Sequence, residues 1–157
     1  MITPVDLIKT LAQEFRIVLK DFNLEAEYQE NKNITVYEQA LPLPQFEDDT
    51  FFPYAVVSVE KVIDDDDFES YVVVVVSIGV YGGDDEGGWQ DLFNIAERLR
   101  QYLMLNSVVC DKFVRVLPCE FTFEGAADER GARPFYLGDI ALLYKISTPV
   151  QVVGDSF

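Results

Sequence analysis

The chain has 157 residues, no histidine, and a formal charge of −16 that comes from 28 acidic and 12 basic side chains. This length is typical of one domain with a full hydrophobic core, whereas so acidic a chain argues against binding to nucleic-acid backbones or to anionic membranes. The lack of histidine excludes Ser-His-Asp and Cys-His catalysis. No apolar run approaches the about 20 residues of a membrane span, and no signal peptide is visible, so we expect a cytoplasmic protein.

The first predicted element is a helix that runs from Pro4 to about Lys20. Thr3 is a good N-cap, and Pro4 suits the first helical position. Apolar side chains recur at helical spacing through this segment, which predicts a stripe that faces the core. A strand near 34–40 follows. The loop over 41–53 contains three prolines and is longer than most connections, so we expect it to be mobile or to depend on a partner.

Two further strands, at 54–63 and 71–81, are predicted to form an antiparallel hairpin through the acidic turn "DDDDFES". The glycine-rich segment "GGDDEGG" at 82–88 is predicted to be a second loop that is mobile or depends on a partner. It leads into a helix over 89–105 that has one apolar side and one polar side. Two strands, over 113–123 and then 135–147, complete the chain.

The resulting element order is α-β-β-β-α-β-β. Strands in runs with two helices set apart indicate an α+β domain. We therefore expect one domain over 1–150, with a single, mostly antiparallel sheet of four or five strands and both helices on one face. The residues 151–157 are expected to form a flexible tail.

The strand "YVVVVVSIGVY" at 71–81 is apolar on both faces, which is unusual for a strand with one solvated side. Such a strand should lie at the centre of the sheet. Two helices cannot cover both faces of a five-stranded sheet, so a second covering layer is needed. Either the last two strands pack over the back of the sheet, or another subunit does. We favour a homo-oligomer, because exposed apolar patches of this size usually mark interfaces.

Two acidic runs are the only candidates for a metal site, and their members are Asp64, Asp65, Asp66, Asp67, Asp84, Asp85 and Glu86. Neither run has the spacing of an EF-hand loop, and consecutive acids point in different directions. Neither contains a basic group that could hold a phosphorylated substrate. We interpret both runs as solvated loop tips, and we predict no firm metal site, no cofactor and no enzymatic activity.

The two cysteines, Cys110 and Cys119, form no CxxC motif, and no histidine is present to complete a zinc site with them. Free cysteines are among the residues most often found buried. We interpret both as buried free thiols, and a disulfide between them remains the alternative.

The segment "SIGVYGGDDEGGWQDLFNIAERLRQYL" resembles the strand, loop and helix of tail terminator and related tail-completion proteins of long-tailed bacteriophages. In that family an apolar strand precedes an acidic loop with glycine, and the helix that follows has a recurring pattern of apolar, acidic and basic positions. The positions that match are Gly88, Trp89, Asp91, Ile95, Glu97, Arg98, Leu99, Arg100 and Leu103. The segment "RPFYLGDIALLYKISTP" is similar to the last strand of the family. The length and the element order also agree.

The resemblance implies a structural virion protein of the tail–neck region that is assembled in the cytoplasm of a bacterial host. Its subunits would form a homohexameric ring that caps the finished tail tube and contacts the head connector. DNA would pass through the lumen without specific binding. Another head–tail joining protein of the neck is one alternative, and a monomeric acidic module that binds Ca²⁺ in its loops is another.

In the expected ring, a neighbouring subunit would cover the second face of the sheet. The candidate interface residues are Phe51, Phe52, Tyr71, Val73, Val75, Tyr81, Arg130 and Arg133. For Phe51 and Phe52, two outcomes remain open, because their rings could pack into the domain's own core or anchor on a neighbour.

Overall fold

The computed structural model describes residues 1–26, 29–43, 51–66, 69–82, 88–126 and 135–146. The elements are, in chain order, α1 Pro4–Val18, β1 Asn23–Ala26, β2 Gln29–Asn33, β3 Thr35–Glu38, β4 Tyr54–Asp64, β5 Ser70–Tyr81, α2 Gly88–Leu105, β6 Val108–Val109, β7 Phe113–Ala126 and β8 Phe135–Ile146.

Helix α1 begins where the sequence predicts, because side chains at its start accept hydrogen bonds from backbone N–H groups that have no partner within the helix. The Thr3 side-chain oxygen accepts a hydrogen bond from the backbone N–H of Val5 at 3.2 Å, and the Asp6 carboxylate accepts one from the N–H of Thr3 at 2.7 Å. This reciprocal arrangement is a capping box. The helix ends at Val18, two residues before the predicted end, and its inner stripe is fully buried.

The strands form two sheets. Strands β1 and β2 make a separate antiparallel pair. The other six strands make one sheet in the order β3-β4-β5-β8-β7-β6, in which β3 runs parallel to β4 and every other pair is antiparallel. This sheet curls into a half-barrel. Strand β5 lies between β4 and β8, so the expectation that 71–81 forms a central strand is confirmed.

The predicted fold is nevertheless wrong in the number of strands and therefore in the element order. The described part of the chain contains eight strands, six of them in the main sheet, instead of four or five in one sheet. Strands β1 and β2 have the sequences "NLEA" and "QENKN", which lack the alternation of apolar and polar residues that predicts a strand. Strand β6 has two residues, too few to leave any pattern.

The core lies between the two helices and one face of β5. The side chains of β5 that point to this face are almost fully buried, and they are Val72, Val74, Val76, Ile78 and Val80. Phe15 of α1 and Leu99 of α2 are fully buried in the same cluster. Each side chain of this size stabilises the fold by about 1.5–3 kcal/mol through burial, so this face holds the domain together.

One of the two predicted solutions for the second face of β5 was that the sheet curls and packs the last two strands over its back. The sheet does curl, but β7 and β8 are members of it and do not form a separate layer. Strand β8 pairs with β5 along its whole length, and β7 pairs with β8. Both strands therefore extend the sheet sideways, and the second face of β5 continues onto them.

Candidate subunit interface

The second face of the sheet carries three rows of side chains that cross four strands. The register of the strands places Ser58, Val75, Ala141 and Glu120 in one row, Lys61, Val73, Leu143 and Val116 in the next, and Ile63, Tyr71, Lys145 and Val114 in the third. Partners that lie directly opposite each other in a sheet point to the same face. We call these three rows the second sheet face.

The second sheet face is apolar at its centre, and the described residues leave it open. Val73 and Leu143 are half-buried, whereas their neighbours on the core face are fully buried. At its rim, Ile63 is 38% exposed and Val114 is 41% exposed. Removing such apolar side chains from water lowers the free energy, so the face suits a protein contact.

Three polar side chains form a hydrogen-bonded cluster at the rim of the second sheet face. The Tyr71 hydroxyl donates a hydrogen bond to the Glu69 carboxylate, and the Lys145 ammonium donates another to the same carboxylate at 2.8 Å. The bond from Lys145 is the largest cause that lowers the pKa of Glu69. The bond to Glu69 raises the pKa of Tyr71 and that of Lys145. At neutral pH Glu69 and Lys145 therefore stay charged, Tyr71 stays neutral, and the hydrogen bonds orient the three side chains.

Phe51 and Phe52 contact aromatic rings of their own domain, which is one of the two outcomes left open by the sequence. The ring of Phe52 lies 4.9 Å from that of Tyr54 and 4.7 Å from that of Phe135, measured between centroids. The ring of Phe51 meets Tyr37 edge-to-face at 6.0 Å. Both phenylalanines stay half-buried, so their outer surface can still contribute to a contact.

The structure brings together part of the predicted interface. Tyr71, Val73 and Val75 alternate along β5 and share the second sheet face, and Tyr81 continues their direction towards Phe135, whose ring centroid is 5.5 Å away. Two other predicted interface residues, Arg130 and Arg133, lie outside the described residues. The members of this face on β4, β7 and β8 were missed, because only the strand register assigns them to it.

The acidic turn after β4 is exposed and makes local hydrogen bonds. The Asp65 carboxylate accepts a bond from the backbone N–H of Glu69 at 3.1 Å, and the Asp64 carboxylate accepts one from the Ser70 hydroxyl. In the part of the chain that the structure describes, no group of three or more potential ligand residues could hold a metal ion. The other predicted metal candidates lie outside that part, and they are Asp67, Asp84, Asp85 and Glu86. Most of the two loops expected to be mobile, 44–50 and 83–87, and the predicted tail at 151–157 also lie outside it.

Both cysteines are free and half-buried. The Cys110 sulfur lies 3.3 Å from the Thr10 hydroxyl oxygen, at the contact between α1 and the segment before β7. Burial raises the pKa of the Cys119 thiol, with Arg115 and Arg100 acting in the opposite direction. The surroundings of Cys119 therefore do not activate its thiol as a nucleophile.

A second exposed apolar cluster lies on the helix side of the sheet and was not predicted. Trp89 and Phe93 on α2 are 44% and 41% exposed, and Phe93 contacts Phe121 and Phe123 of β7. The spacing of four residues between Trp89 and Phe93 places both on one side of the helix, next to the core stripe. That spacing was the available signal in the sequence.

Comparison with known proteins gives no assignment. A scan against protein-family models found no matching family, and a search of curated proteins found no match. Among the described residues, neither helix has the length and hydropathy that crossing a membrane requires. The resemblance to phage tail terminators thus remains a prediction from the sequence.

Proposed function

We propose that the protein is a structural subunit of a bacteriophage tail, a tail terminator whose copies assemble into a ring. In this proposal the ring caps the tail tube, contacts the head connector, and lets DNA pass through its lumen. The observation that carries the proposal is the second sheet face, an apolar surface of four strands that the described residues leave open. The resemblance of the segment from Ser77 to Leu103 to phage tail terminators is the reason for proposing this particular assembly.

The proposal also gives the acidic composition a role. Each copy carries a charge of −16, so a lumen lined by such chains would repel the DNA backbone and let it slide. The same charge opposes ring closure, because two like charges at about 4 Å cost about 1 kcal/mol even in water. Salt restricts this repulsion to about 8 Å at physiological ionic strength. Assembly should therefore increase with ionic strength and with millimolar Mg²⁺.

Sedimentation velocity across salt concentrations, combined with electron microscopy of the largest species, tests ring formation. The informative variant is Val75→Lys, which places a charge at the centre of the second sheet face. Gln13→Lys, on the exposed side of α1, is the matched control because it makes the same change in charge. We expect V75K to abolish the ring and Q13K to retain it. Monomers under every condition, or rings that V75K leaves intact, would refute the proposed contact.

A second experiment tests the terminator role itself. Polymerising tail tube protein from the same genome is mixed with this protein, and the lengths of the tubes are measured by electron microscopy. A terminator should bind one end of each tube and stop its growth. Rings that form but leave tube length unchanged would retain the subunit contact and contradict the terminator assignment.

A further inference from the structure

One edge of the main sheet is only partly covered. Strand β3 pairs with the first part of β4, from the pair of Thr35 and Tyr54 to the pair of Glu38 and Val57. Strand β4 continues to Asp64. In the described part of the chain, no strand pairs with this outer side of β4 beyond the end of β3.

The side chain of Gln39 takes the place of the next strand residue. Its amide nitrogen donates a hydrogen bond to the carbonyl of Val59 at 3.0 Å, and its amide oxygen accepts one from the N–H of Val59 at 2.9 Å. The main chain of Gln39 has a φ of 70°, in the left-handed region, and leaves the line of β3 there. At Val59 the outer edge of β4 therefore hydrogen-bonds to a side-chain amide, which is chemically similar to a peptide group.

The next outward groups along β4 belong to Val62 and Asp64. The N–H of Asp65 points towards β5, since it donates to the carbonyl of Glu69 at 2.9 Å. The register of β4 against β5 shifts between Val59 and Lys61, so the alternation of backbone directions starts anew after the shift. Backbone groups alternate in direction along a strand, so Asp64 and Val62 direct their N–H and C=O groups to the open side. These groups can hydrogen-bond to an added strand, as in β-augmentation.

An apolar groove lies beside this edge, on the helix side of the sheet. Its volume is about 490 Å³. It is lined by Pro4, Val5 and Ile8 of α1 and by Glu38, Gln39 and Val59 of the sheet. Two apolar side chains here are exposed, Val5 to 59% and Val62 to 48%. Val62 points to the same face of the sheet as its cross-strand partner Val72. An added strand would place every second side chain over this groove.

The charges around the groove and edge are mostly acidic. Asp64, Asp65 and Asp66 are exposed at the far end of β4. Lys9, on the groove wall, is already paired with Glu38 at 3.7 Å. A second copy of the chain, with a charge of −16, is a poor match for this surface, whereas a segment with basic residues at one end is complementary to it.

We propose that this edge and groove bind an extended segment of another protein, with apolar residues at alternate positions and lysine or arginine at one end. Its main chain would pair with Val62 and Asp64, its apolar side chains would contact Val5 and Val59, and its basic end would face the acidic turn. This docking site is separate from the second sheet face, so it goes beyond the proposed ring and does not depend on it.

The probe is a fluorescent synthetic peptide of about six residues that alternates valine with threonine and ends in two lysines. Binding is measured by fluorescence anisotropy with the full-length protein. The affected amides are located by NMR or by hydrogen exchange. One control peptide carries proline at alternate positions, which removes backbone donors, and another ends in two glutamates. We expect binding of the first peptide alone, with new protection of the amides of Val62 and Asp64.

Two pairs of variants test the apolar groove and the open strand edge separately. Val5→Ser should weaken binding about tenfold through lost apolar contact, whereas Ile17→Ser, at a similarly exposed position of the same helix, should leave it unchanged. Val62→Pro should abolish binding by removing an outward N–H, and Val62→Thr should retain it. Circular dichroism establishes that each variant is folded.

Four results would overturn the proposal. The first is no binding at millimolar peptide, and the second is equal binding of the proline-substituted peptide. The third is protection that maps to another surface, such as the cluster around Trp89 and Phe93. Self-association that V5S or V62P reduces in the absence of peptide would also overturn it, because the occupant would then be a second copy of this chain.

Discussion

The substitution Tyr144→Phe should stabilise the protein. Tyr144 lies in β8 between Val72 of β5 and Arg115 of β7, and its side chain is fully buried. Within the described residues its hydroxyl has no hydrogen-bond partner. The substitution removes only this oxygen and keeps the ring in the core.

The size of the effect follows from two opposing terms. A buried polar group without a partner costs about 1–3 kcal/mol of folding free energy. Removing the oxygen recovers that cost, and it also leaves a small gap in which neighbouring atoms lose some dispersion contacts. We therefore expect the free energy of unfolding of Y144F to exceed that of the wild type by about 1 kcal/mol at pH 7.

The difference between the two proteins should grow at alkaline pH. Burial raises the pKa of Tyr144 above its ordinary value of 10.0, with smaller contributions from Tyr102 and Cys119, while Arg115 acts to lower it. Above pH 10 the unfolded chain loses this proton and the native protein keeps it. The wild type therefore loses stability relative to Y144F as pH rises, by up to about 1.4 kcal/mol per pH unit.

Urea unfolding of both proteins at pH 7 and just above pH 10 measures these differences. Tyr71→Phe is the control, because the Tyr71 hydroxyl donates a hydrogen bond to Glu69 and its removal should lower stability at pH 7. If Y144F is less stable than the wild type at pH 7, the hydroxyl has a partner, and the reasoning is refuted.

Two further substitutions test local features of the fold. Thr3→Ala removes the acceptor for the N–H of Val5 and should lower the free energy of unfolding by about 1 kcal/mol, so an unchanged urea midpoint would contradict the capping box. Gly79→Ala places a methyl group 2.4 Å from the Tyr54 ring and 2.7 Å from the Phe52 ring, and we expect a loss of about 1–3 kcal/mol. A double-mutant cycle with Phe52→Leu should recover part of that loss, whereas purely additive effects would show that the two sites do not touch.

The parts of the fold that could be predicted from the sequence depend on local signals. Thr3 and Pro4 mark the start of α1, and the structure shows the capping box that they predict. The nearly unbroken apolar run at 71–81 predicts a central strand, because such a composition is typical of a strand with apolar surroundings on both faces. These signals act within a few residues and need no knowledge of the rest of the chain.

The parts that could not be predicted depend on partners distant in sequence. Val116 joins Leu143 on the second sheet face only because β7 pairs with β8 in one particular register. That register shifts between Val116 and Glu120, and a shift of one residue would move each side chain to the opposite face. The sequence therefore identified the part of the second sheet face that lies on β5 and missed the parts on β4, β7 and β8.

The open edge of β4 also could not be predicted from the sequence, because it depends on where the pairing of β3 with β4 ends. Long polar side chains protect the edge of the sheet on this side. Arg16 donates from its guanidinium to the carbonyl of Val36 at 2.9 Å, and Gln39 occupies both backbone groups of Val59. Proteins protect exposed strand edges in such ways because an open edge pairs with other chains. Within the described residues this protection stops at Val59, while the strand continues to Asp64 beside an apolar groove. An edge that is protected along one stretch and open along the next, where apolar side chains are also exposed, has the features of a binding site for a strand.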